Sequence, residues 1–345
     1  MAQMWIEILE QPEILKRSLE NNSKNINFIV KSLKEKNINH VIIAARGTSH
    51  HAGIYAKYLM EIKLGIPVSI AAPSVTTLYN KPLNYDGALF IGISQSGRAQ
   101  DVLEVLKAAK TQGAPTIAIT NFDDSPLAKE AEFHLNCSAG EEKSVAATKT
   151  FTTQMHLLAW LVAEWAGDEE FKKELSSVPG ILKKIIDDSD YIEQLVKRYR
   201  FMTECFILGR GVNYSIVLEA ALKIQETTYI RARAYSISEF HHGPFAMIEQ
   251  NMPVLVFAPE GPTLESAIEM INKLKDAGAD VLVVSNNQDT QKLGHCYIPL
   301  PDGMSDFISP FANAVISQIF ACKLSVLRGI NPDAPRGLNK VTITR

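Results

Sequence analysis

Residues 88–98, ALFIGISQSGR, constrain the fold of this chain more than any other stretch. The apolar residues before Ser94 predict a buried strand of a parallel sheet, and the apolar spacing from about Gln100 to Lys110 predicts a helix. Ser94, Ser96 and the backbone amides around Gly97 lie at the predicted helix N-terminus, where an anion is favoured. The stretch therefore indicates an α/β unit whose loop binds a phosphorylated small molecule.

The composition is that of a globular protein of about two domains. The chain has 345 residues, 46% hydrophobic and 21% charged, and its formal net charge of −3 offers no basic surface for nucleic acid. The four cysteines lack CxxC spacing, which favours reduced thiols over a zinc site or a disulfide framework. The N-terminus lacks a signal-peptide pattern, and the longest apolar run, 157–163, is too short to span a membrane. We therefore expect a cytoplasmic protein with no membrane or nucleic-acid partner.

Strands alternate with helices along the chain, which predicts parallel sheets flanked by helices. The predicted strands are 40–45, 68–71, 88–93, 115–120, one beginning at 206, 253–258 and 280–285. The predicted helices are 6–36 (one or two, the second starting at Pro12), 51–64, 100–110, one from about 150 to 167, 264–277 and 312–327. The predicted organisation is N-terminal helices 1–36, a first domain 37–167, a helical linker 168–200, a second domain 201–330 and a tail 331–345.

The two halves read as copies of one unit. Arg46-Gly47 and Arg210-Gly211 are 164 residues apart, and so are Gly97 and Gly261, each pair at a strand-to-helix loop. The second loop, Ala-Pro-Glu-Gly at 258–261, lacks both serines of the first. Since the fold does not need the serines, we predict that the loop at Ser94 is functional.

Three groups of residues are candidates for chemistry. Thr48, Ser49, Ser94, Gln95 and Ser96 follow two strands whose carboxyl ends are where ligands bind in open α/β sheets; the alternative is that they cap helices.

Glu219, Lys223 and Glu226 share one helical face, which is either a proton-transfer site or a solvated charge stripe. His242, before Gly243-Pro244, is a candidate acid–base group or a solvent-facing residue. Lys340 belongs to a tail that is either frayed or able to bring an amine to a carbonyl.

Over nearly its whole length the chain resembles the double sugar-isomerase-domain (SIS) family, in particular the isomerase half of glucosamine-6-phosphate synthase. Within the family it is more similar to stand-alone SIS-type glucosamine-6-phosphate deaminases, which share Ser-Gln-Ser-Gly-Arg at 94–98, Ala-Gly-Glu-Glu-Lys at 139–143 and Ala72-Pro73-Ser74. The other motifs that carry the resemblance are Arg46-Gly47-Thr48-Ser49, 145–149 (VAATK), 219–223 (EAALK) with Glu226, Glu239 with 242–244 (HGP), and Pro335-Arg336 with Lys340.

The resemblance implies two tandem SIS domains of α/β fold, each a flavodoxin-like three-layer sandwich, and it implies roles for individual residues. Glu226 would carry a proton between C1 and C2 of the sugar, Lys223 would orient it, and Lys340 would approach the open-chain carbonyl. His242 would assist ring opening from the neighbouring subunit of a homodimer. The implied sugar-phosphate ligands are Gly47, Thr48, Ser49, Ser94, Gln95, Ser96 and the backbone of Val145. No metal or organic cofactor is implied.

The chain departs from the synthase pattern at several positions. Arg98 and Ala99 replace an acid and a threonine, so one phosphate hydroxyl is missing and Arg98 becomes a candidate phosphate ligand. Asn339 replaces an alanine beside the lysine of the tail. Residue 2 is Ala rather than a cysteine nucleophile, and no glutaminase domain is expected in this chain.

We therefore predict an enzyme that converts glucosamine 6-phosphate to fructose 6-phosphate and ammonia. The alternatives with the same site are another phosphosugar isomerase, a fructosamine-phosphate deglycase, and a deaminase or isomerase of galactosamine 6-phosphate. A sugar-phosphate-sensing regulator is the non-enzyme alternative, although about forty residues before the first strand include no clear DNA-recognition helix.

Overall fold

The computed structural model describes residues 1–340 and contains two five-stranded parallel sheets. The first sheet has β1 (His40–Ala45), β2 (Val68–Ile70), β3 (Ala88–Ile93), β4 (Thr116–Thr120) and β5 (Phe133–Asn136) in the order β2-β1-β3-β4-β5. The second has β6 (Glu204–Gly209), β7 (Arg231–Ser236), β8 (Pro253–Phe257), β9 (Asp280–Ser285) and β10 (Cys296–Pro299) in the order β10-β9-β8-β6-β7. Read from β7, the second order repeats the first strand for strand, so the predicted duplication and α/β fold class are confirmed.

The helices of the first half and of the connection are α1 (Gln3–Leu9), α2 (Gln11–Lys34), α3 (Gly47–Leu64), α4 (Pro73–Thr77), α5 (Gln100–Thr111), α6 (Pro126–Glu130), α7 (Lys149–Ala166), α8 (Glu169–Asp187) and α9 (Asp190–Leu195). Those of the second half are α10 (Tyr214–Thr228), α11 (Ile237–Phe240), α12 (Leu264–Asp276), α13 (Gln288–Gln291) and α14 (Ser309–Leu327). Short 3₁₀ turns occur at Val196–Tyr199, Gly211–Asn213 and Pro244–Met247.

The chain forms two compact units. The first unit holds residues 10–143, 147–179 and 337–340 of the described chain, and the second holds 1–9, 144–146 and 180–336. In the first unit α7 packs against α2 and α3, and in the second α10 packs against α14. The domain boundaries given above stay a prediction.

Central strands follow the predicted pattern because both of their faces are covered. Every residue of β3 and β4 is buried, as a run of β-branched and small apolar residues in a parallel sheet requires. The predicted bounds of β1, β3 and β9 agree with the structure. β5, β7 and β10 were not predicted. All three are edge strands that carry partly exposed polar residues, and β5 and β10 have only four residues each.

The start of α3 differs from the prediction in a way that affects the candidate site. α3 begins at Gly47 rather than near His51, so Thr48 and Ser49 lie in its first turn.

Among residues 1–340, one helix, α14, is long and apolar enough to cross a membrane if only length and composition are considered. However, 83% of its most apolar 18-residue stretch is buried inside the protein. That burial is typical of a core helix.

Candidate functional site

The first unit has a topological switch point between β1 and β3. The chain leaves β1 for β2 on one side and returns to β3 on the other, and His40–Ala45 pairs in register with Ala88–Ile93. The carboxyl ends of these two strands therefore lie side by side, and in doubly wound sheets this is where ligands bind. Thr48 and Ser94 each follow one of the two strands. The structure brings these two predicted loops to one place.

Two helices begin at this switch point without a side-chain cap. The N-cap residues of α3 and α5 are Arg46 and Ala99, and neither side chain accepts a hydrogen bond from its helix. By contrast Ser125, Ser236 and Asn287 cap α6, α11 and α13. None of the predicted serines and threonines occupies an N-cap position of α3 or α5, so the helix-capping alternative is wrong for these two helices. The backbone N–H groups of both first turns remain suited to an anion.

The loop between β3 and α5 is held in shape by its own serines. The Gly97 N–H donates to the carbonyl oxygen of Ser94 at 3.1 Å and to its Oγ at 3.2 Å. The Arg98 N–H donates to Ser96 Oγ at 3.3 Å, and the Asn121 N–H donates to the Gln95 carbonyl at 3.0 Å. Gly97 has a φ of +62°, and a Cβ there would lie 2.1 Å from Ser125 Oγ. The loop is thus a preformed turn that needs glycine at this position.

Arginines flank the same loop in two different ways. The Arg98 side chain is exposed and forms no ion pair with any residue between 1 and 340. Arg46, by contrast, donates from Nε to Asp101 Oδ2 at 2.6 Å. Asp101 lies in the first turn of α5 and is buried. The pKa of His50, in the first turn of α3, is lowered by burial and then by the positive charges of His51 and Arg46.

The switch point of the second unit has the same backbone and different side chains. Arg210 is extended like Arg46, and Gly211 has a φ of +62° where Gly47 has +51°. In place of the serines, Asp306 approaches Gly261, where a Cβ would lie 2.9 Å from the aspartate Cβ. Burial raises the pKa of Asp306 to about 6, although a hydrogen bond from Asn213 opposes the shift. An acid at this point makes the second copy unsuited to phosphate.

Lys340 is paired with a buried acid of the first unit. Its Nζ lies 2.7 Å from Glu142 Oε2, and Glu142 Oε1 accepts from the N–H groups of Thr148 and Thr150 at 3.0 and 3.1 Å. Burial alone would raise the pKa of Glu142, but the Lys340 ammonium and the backbone donors outweigh it and hold that pKa below its usual value. The tail up to Lys340 is therefore anchored, and the frayed-tail alternative is wrong for this part.

The helical face at 219–226 is buried rather than solvated. The side chains of Glu219 and Lys223 in α10 have 0% exposure, and Glu226 has 18%. Lys223 Nζ lies 2.6 Å from Glu226 Oε2 and 3.4 Å from Glu219 Oε1. The solvated-stripe alternative is therefore wrong. Lys223 is fixed between two carboxylates, and Glu226 is the one of the two that is partly exposed. This arrangement is expected of a base that is held in position.

The remaining predicted residues of the second unit are placed as follows. His242 is exposed in the turn before Gly243, and its N–H donates to the Glu239 carbonyl at 3.0 Å. The Val145 N–H donates to the Asp333 carbonyl at 3.1 Å. The Arg336 guanidinium lies 4.2 Å from the Tyr229 ring centroid.

Within residues 1–340, no group of three or more His, Cys, Asp or Glu side chains is arranged to hold a metal ion.

Sequence reasoning missed the structural roles of Asp101 and Glu142. Glu141 and Glu142 are adjacent and identical, but Glu141 is exposed and Glu142 is buried. Asp101 is likewise a charged residue that lies buried in its helix. Its place in the chain was the available signal, because Asp101 lies in the first turn of α5, directly after the serine loop, and an acid is favoured at a helix N-terminus.

Comparison with known proteins identifies the family. The SIS domain model matches residues 34–163 and 203–328. The glutamine–fructose-6-phosphate aminotransferase (isomerizing) of Methanothermobacter thermautotrophicus is 35% identical over 339 residues; the match covers 98% of this chain and 56% of that protein, so the chain spans about half of the relative's length.

Two solved structures are similar over the whole chain. The C-terminal domain of glucosamine-fructose-6-phosphate aminotransferase from Francisella tularensis has a TM-score of 0.87 and 28% identity, covering 97% of this chain and 98% of that one. Glucosamine-6-phosphate deaminase from Thermotoga maritima has a TM-score of 0.77 and 25% identity, covering 99% and 100%. With two matched segments on two copies of one sheet, the chain belongs to the SIS domain family.

Proposed function

We propose that this chain is an amino-sugar-phosphate deaminase that converts glucosamine 6-phosphate and water to fructose 6-phosphate and ammonia. The observation that carries the proposal is the pairing of the partly open Glu226 with the fully buried Lys223. A carboxylate held in this way can remove a proton from carbon and return it, which is the chemistry of aldose–ketose isomerisation. The similarity to the Thermotoga maritima deaminase and the switch-point serines support the choice of substrate.

The proposed reaction is an isomerisation followed by a hydrolysis. In the open-chain sugar, Glu226 takes the proton from C2 and returns it to C1. The C1 oxygen gains a proton and becomes an alcohol, while the nitrogen on C2 loses a proton and becomes an imine, so the isomerisation leaves the overall charge and composition unchanged. Water then adds to C2 and ammonia leaves, which gives the ketose. Lys223 orients Glu226, and the Lys340 ammonium stabilises the negative charge that develops on the carbonyl oxygen.

The phosphate is proposed to bind at the first switch point. Thr48, Ser49, Ser94 and Ser96 supply hydroxyls, while Gly47, Gln95 and the first turns of α3 and α5 supply backbone or amide donors. Arg98 is an additional candidate because it is exposed beside this loop. The Val145 carbonyl is the group proposed to contact a sugar hydroxyl, since the Val145 N–H is used by Asp333.

We propose a homodimer in which His242 acts on the ring oxygen of the sugar bound to the partner chain. Its exposure and the rigid Gly243-Pro244 turn support an imidazole that reaches outward. Mixing His242→Ala with Glu226→Gln chains should restore part of the activity in verified heterodimers, and no recovery would exclude the shared site. The free cysteines agree with the cytoplasmic location that we propose for such an enzyme.

The test is ammonia release from purified sugar phosphates by wild type and Glu226→Gln. Release from glucosamine 6-phosphate that the substitution abolishes is the expected result. Glu193→Gln is the matched control, since Glu193 is an exposed glutamate of the second unit paired with Lys323 at 2.7 Å. Ammonia release only from galactosamine 6-phosphate or a fructosamine phosphate would identify that compound as the substrate instead. Interconversion of ketose and aldose phosphates without ammonia release would indicate a simple isomerase. Tight binding of a sugar phosphate without turnover would indicate a sensor.

A second candidate is the reverse reaction with ammonia from a glutaminase. The chain is 35% identical to an aminotransferase of which it spans 56%, and this similarity favours an isomerase that works beside a glutaminase. Fructose 6-phosphate supplied with ammonium should then yield glucosamine 6-phosphate. A product ratio that stays on the fructose 6-phosphate side at all ammonium concentrations tested would oppose this candidate.

A further inference from the structure

We infer that Arg46, held by Asp101, is a further phosphate-binding residue at the first switch point. The inference rests on the proposed function, because it names an additional ligand of the same phosphate group. Arg46 is the single residue between the end of β1 and the start of α3. Asp101 lies in the first turn of α5. Their ion pair therefore joins the starts of the two uncapped helices.

The geometry leaves one side of the guanidinium available. Arg46 donates through Nε to Asp101 Oδ2 at 2.6 Å, and the other carboxylate oxygen accepts from the Val102 N–H at 2.9 Å. The Asp101 side chain is 2% exposed, whereas that of Arg46 is 51% exposed. An arginine has five N–H donors in a planar fork, so one bond at Nε leaves the two terminal nitrogens for phosphate oxygens.

The charge balance of the site requires such a cation. Ala99 stands where a third hydroxyl is expected from the family resemblance, and the buried Asp101 carboxylate would repel a phosphate dianion. Arg46 neutralises that carboxylate and adds donors. In the second unit, the residue that matches Asp101 at the 164-residue offset is Glu265, and within residues 1–340 Arg210 forms no ion pair with it. The ion pair thus accompanies the copy that keeps the serines.

Calorimetric titration of the full chain with glucosamine 6-phosphate and with inorganic phosphate tests the inference. The variants are Arg46→Gln, Asp101→Asn, the double variant and Arg98→Gln. Arg198→Gln is the matched control, because Arg198 is 50% exposed and pairs with the partly buried Asp280 of the second unit at 2.9 Å. Thermal unfolding of each variant measures any loss of stability separately from binding.

Arg46→Gln is expected to weaken both ligands at least about tenfold, the usual effect of one charge-assisted hydrogen bond, while Arg198→Gln leaves both affinities unchanged. If Arg46 contacts the phosphate directly, Arg46→Gln should also weaken binding when Asp101 has been replaced by Asn. Full rescue by Asp101→Asn would show that Arg46 only shields the carboxylate and would overturn the inference.

Two further outcomes separate this inference from the proposed function. Binding that is lost in Arg98→Gln but kept in Arg46→Gln overturns the role of Arg46 and leaves the phosphate site in place. A wild-type chain that binds neither ligand overturns both. An altered melting temperature with unchanged affinity in Arg46→Gln would also overturn the inference, since it would make the ion pair structural only.

Discussion

The Lys340 ammonium lies 2.7 Å from Oε2 of Glu142, a carboxylate whose side chain has 0% exposure. Three donors from the start of α7 surround the same carboxylate: two backbone N–H groups and the Thr150 hydroxyl at 2.8 Å. A buried charge with this many partners is a fixed anchor rather than a passing surface contact. The position of Lys340 is therefore set by a residue that lies almost two hundred positions earlier in the chain.

Glu142→Gln should remove this anchor. The amide keeps an acceptor for the backbone donors but removes the buried negative charge that pairs with the Lys340 ammonium, so we expect the free energy of unfolding to fall by about 3 kcal/mol and ammonia release to slow about tenfold or more. Urea unfolding and steady-state assays measure the two effects. Glu141→Gln is the matched control, because Glu141 is 74% exposed and lies 3.6 Å from Lys143. Equal behaviour of the two variants would contradict the anchor.

Lys223→Met should destabilise the second unit strongly. Lys223 has 0% exposure and lies between two carboxylates, so its replacement removes the cation of two buried or partly buried ion pairs at a cost of about 3–5 kcal/mol. Lys172 is also paired with two carboxylates, at 2.6 and 2.8 Å, but is 17% exposed and its partner Glu169 is 79% exposed. Lys172→Met should therefore cost less than about 1 kcal/mol. A similar loss in both variants, measured by urea unfolding, would argue against a buried charge cluster.

The sequence predicts the central strands and the duplication well because these depend on local pattern. A central strand of a parallel sheet is buried on both faces, so a continuous apolar run such as 88–93 identifies it from local sequence alone. Glycine occurs at both 47 and 211 because the backbone has a positive φ at each position. The environment of single charges does not follow from local pattern. Lys223 and Asp101 have the spacing of solvated helix faces, but both are buried by elements far away in the chain. Their burial depends on tertiary packing, which periodicity does not report.

Asp306→Asn should stabilise the protein at neutral pH. Burial raises the pKa of Asp306 from its ordinary 3.8 to about 6, so the folded state favours the protonated acid. The stabilisation from protonated Asp306 is fully present below pH 3.8 and is lost as the pH rises through about 6. At higher pH the folded protein holds a buried carboxylate, which lowers the free energy of unfolding by about 3 kcal/mol relative to low pH. The amide avoids this cost. Urea unfolding should show the variant more stable at pH 8 and little changed at pH 4, while the exposed Asp302→Asn shows no such difference. A gain of equal size at both pH values would exclude ionisation as the cause.

Gly97→Ala should damage the serine loop by more than its backbone strain alone. At a φ of +62° an alanine costs about 1–2 kcal/mol, and its Cβ would also lie 2.1 Å from Ser125 Oγ, the cap of α6. Gly113 has a φ of +82° with nothing within 4 Å of an added Cβ, so Gly113→Ala is the matched control for strain without a clash. We expect Gly97→Ala to lower the free energy of unfolding further than Gly113→Ala and to abolish phosphate binding, because α6 and the serine turn cannot both keep their geometry. If the two variants unfold alike and bind glucosamine 6-phosphate alike, the close contact between Gly97 and Ser125 is not what shapes the loop.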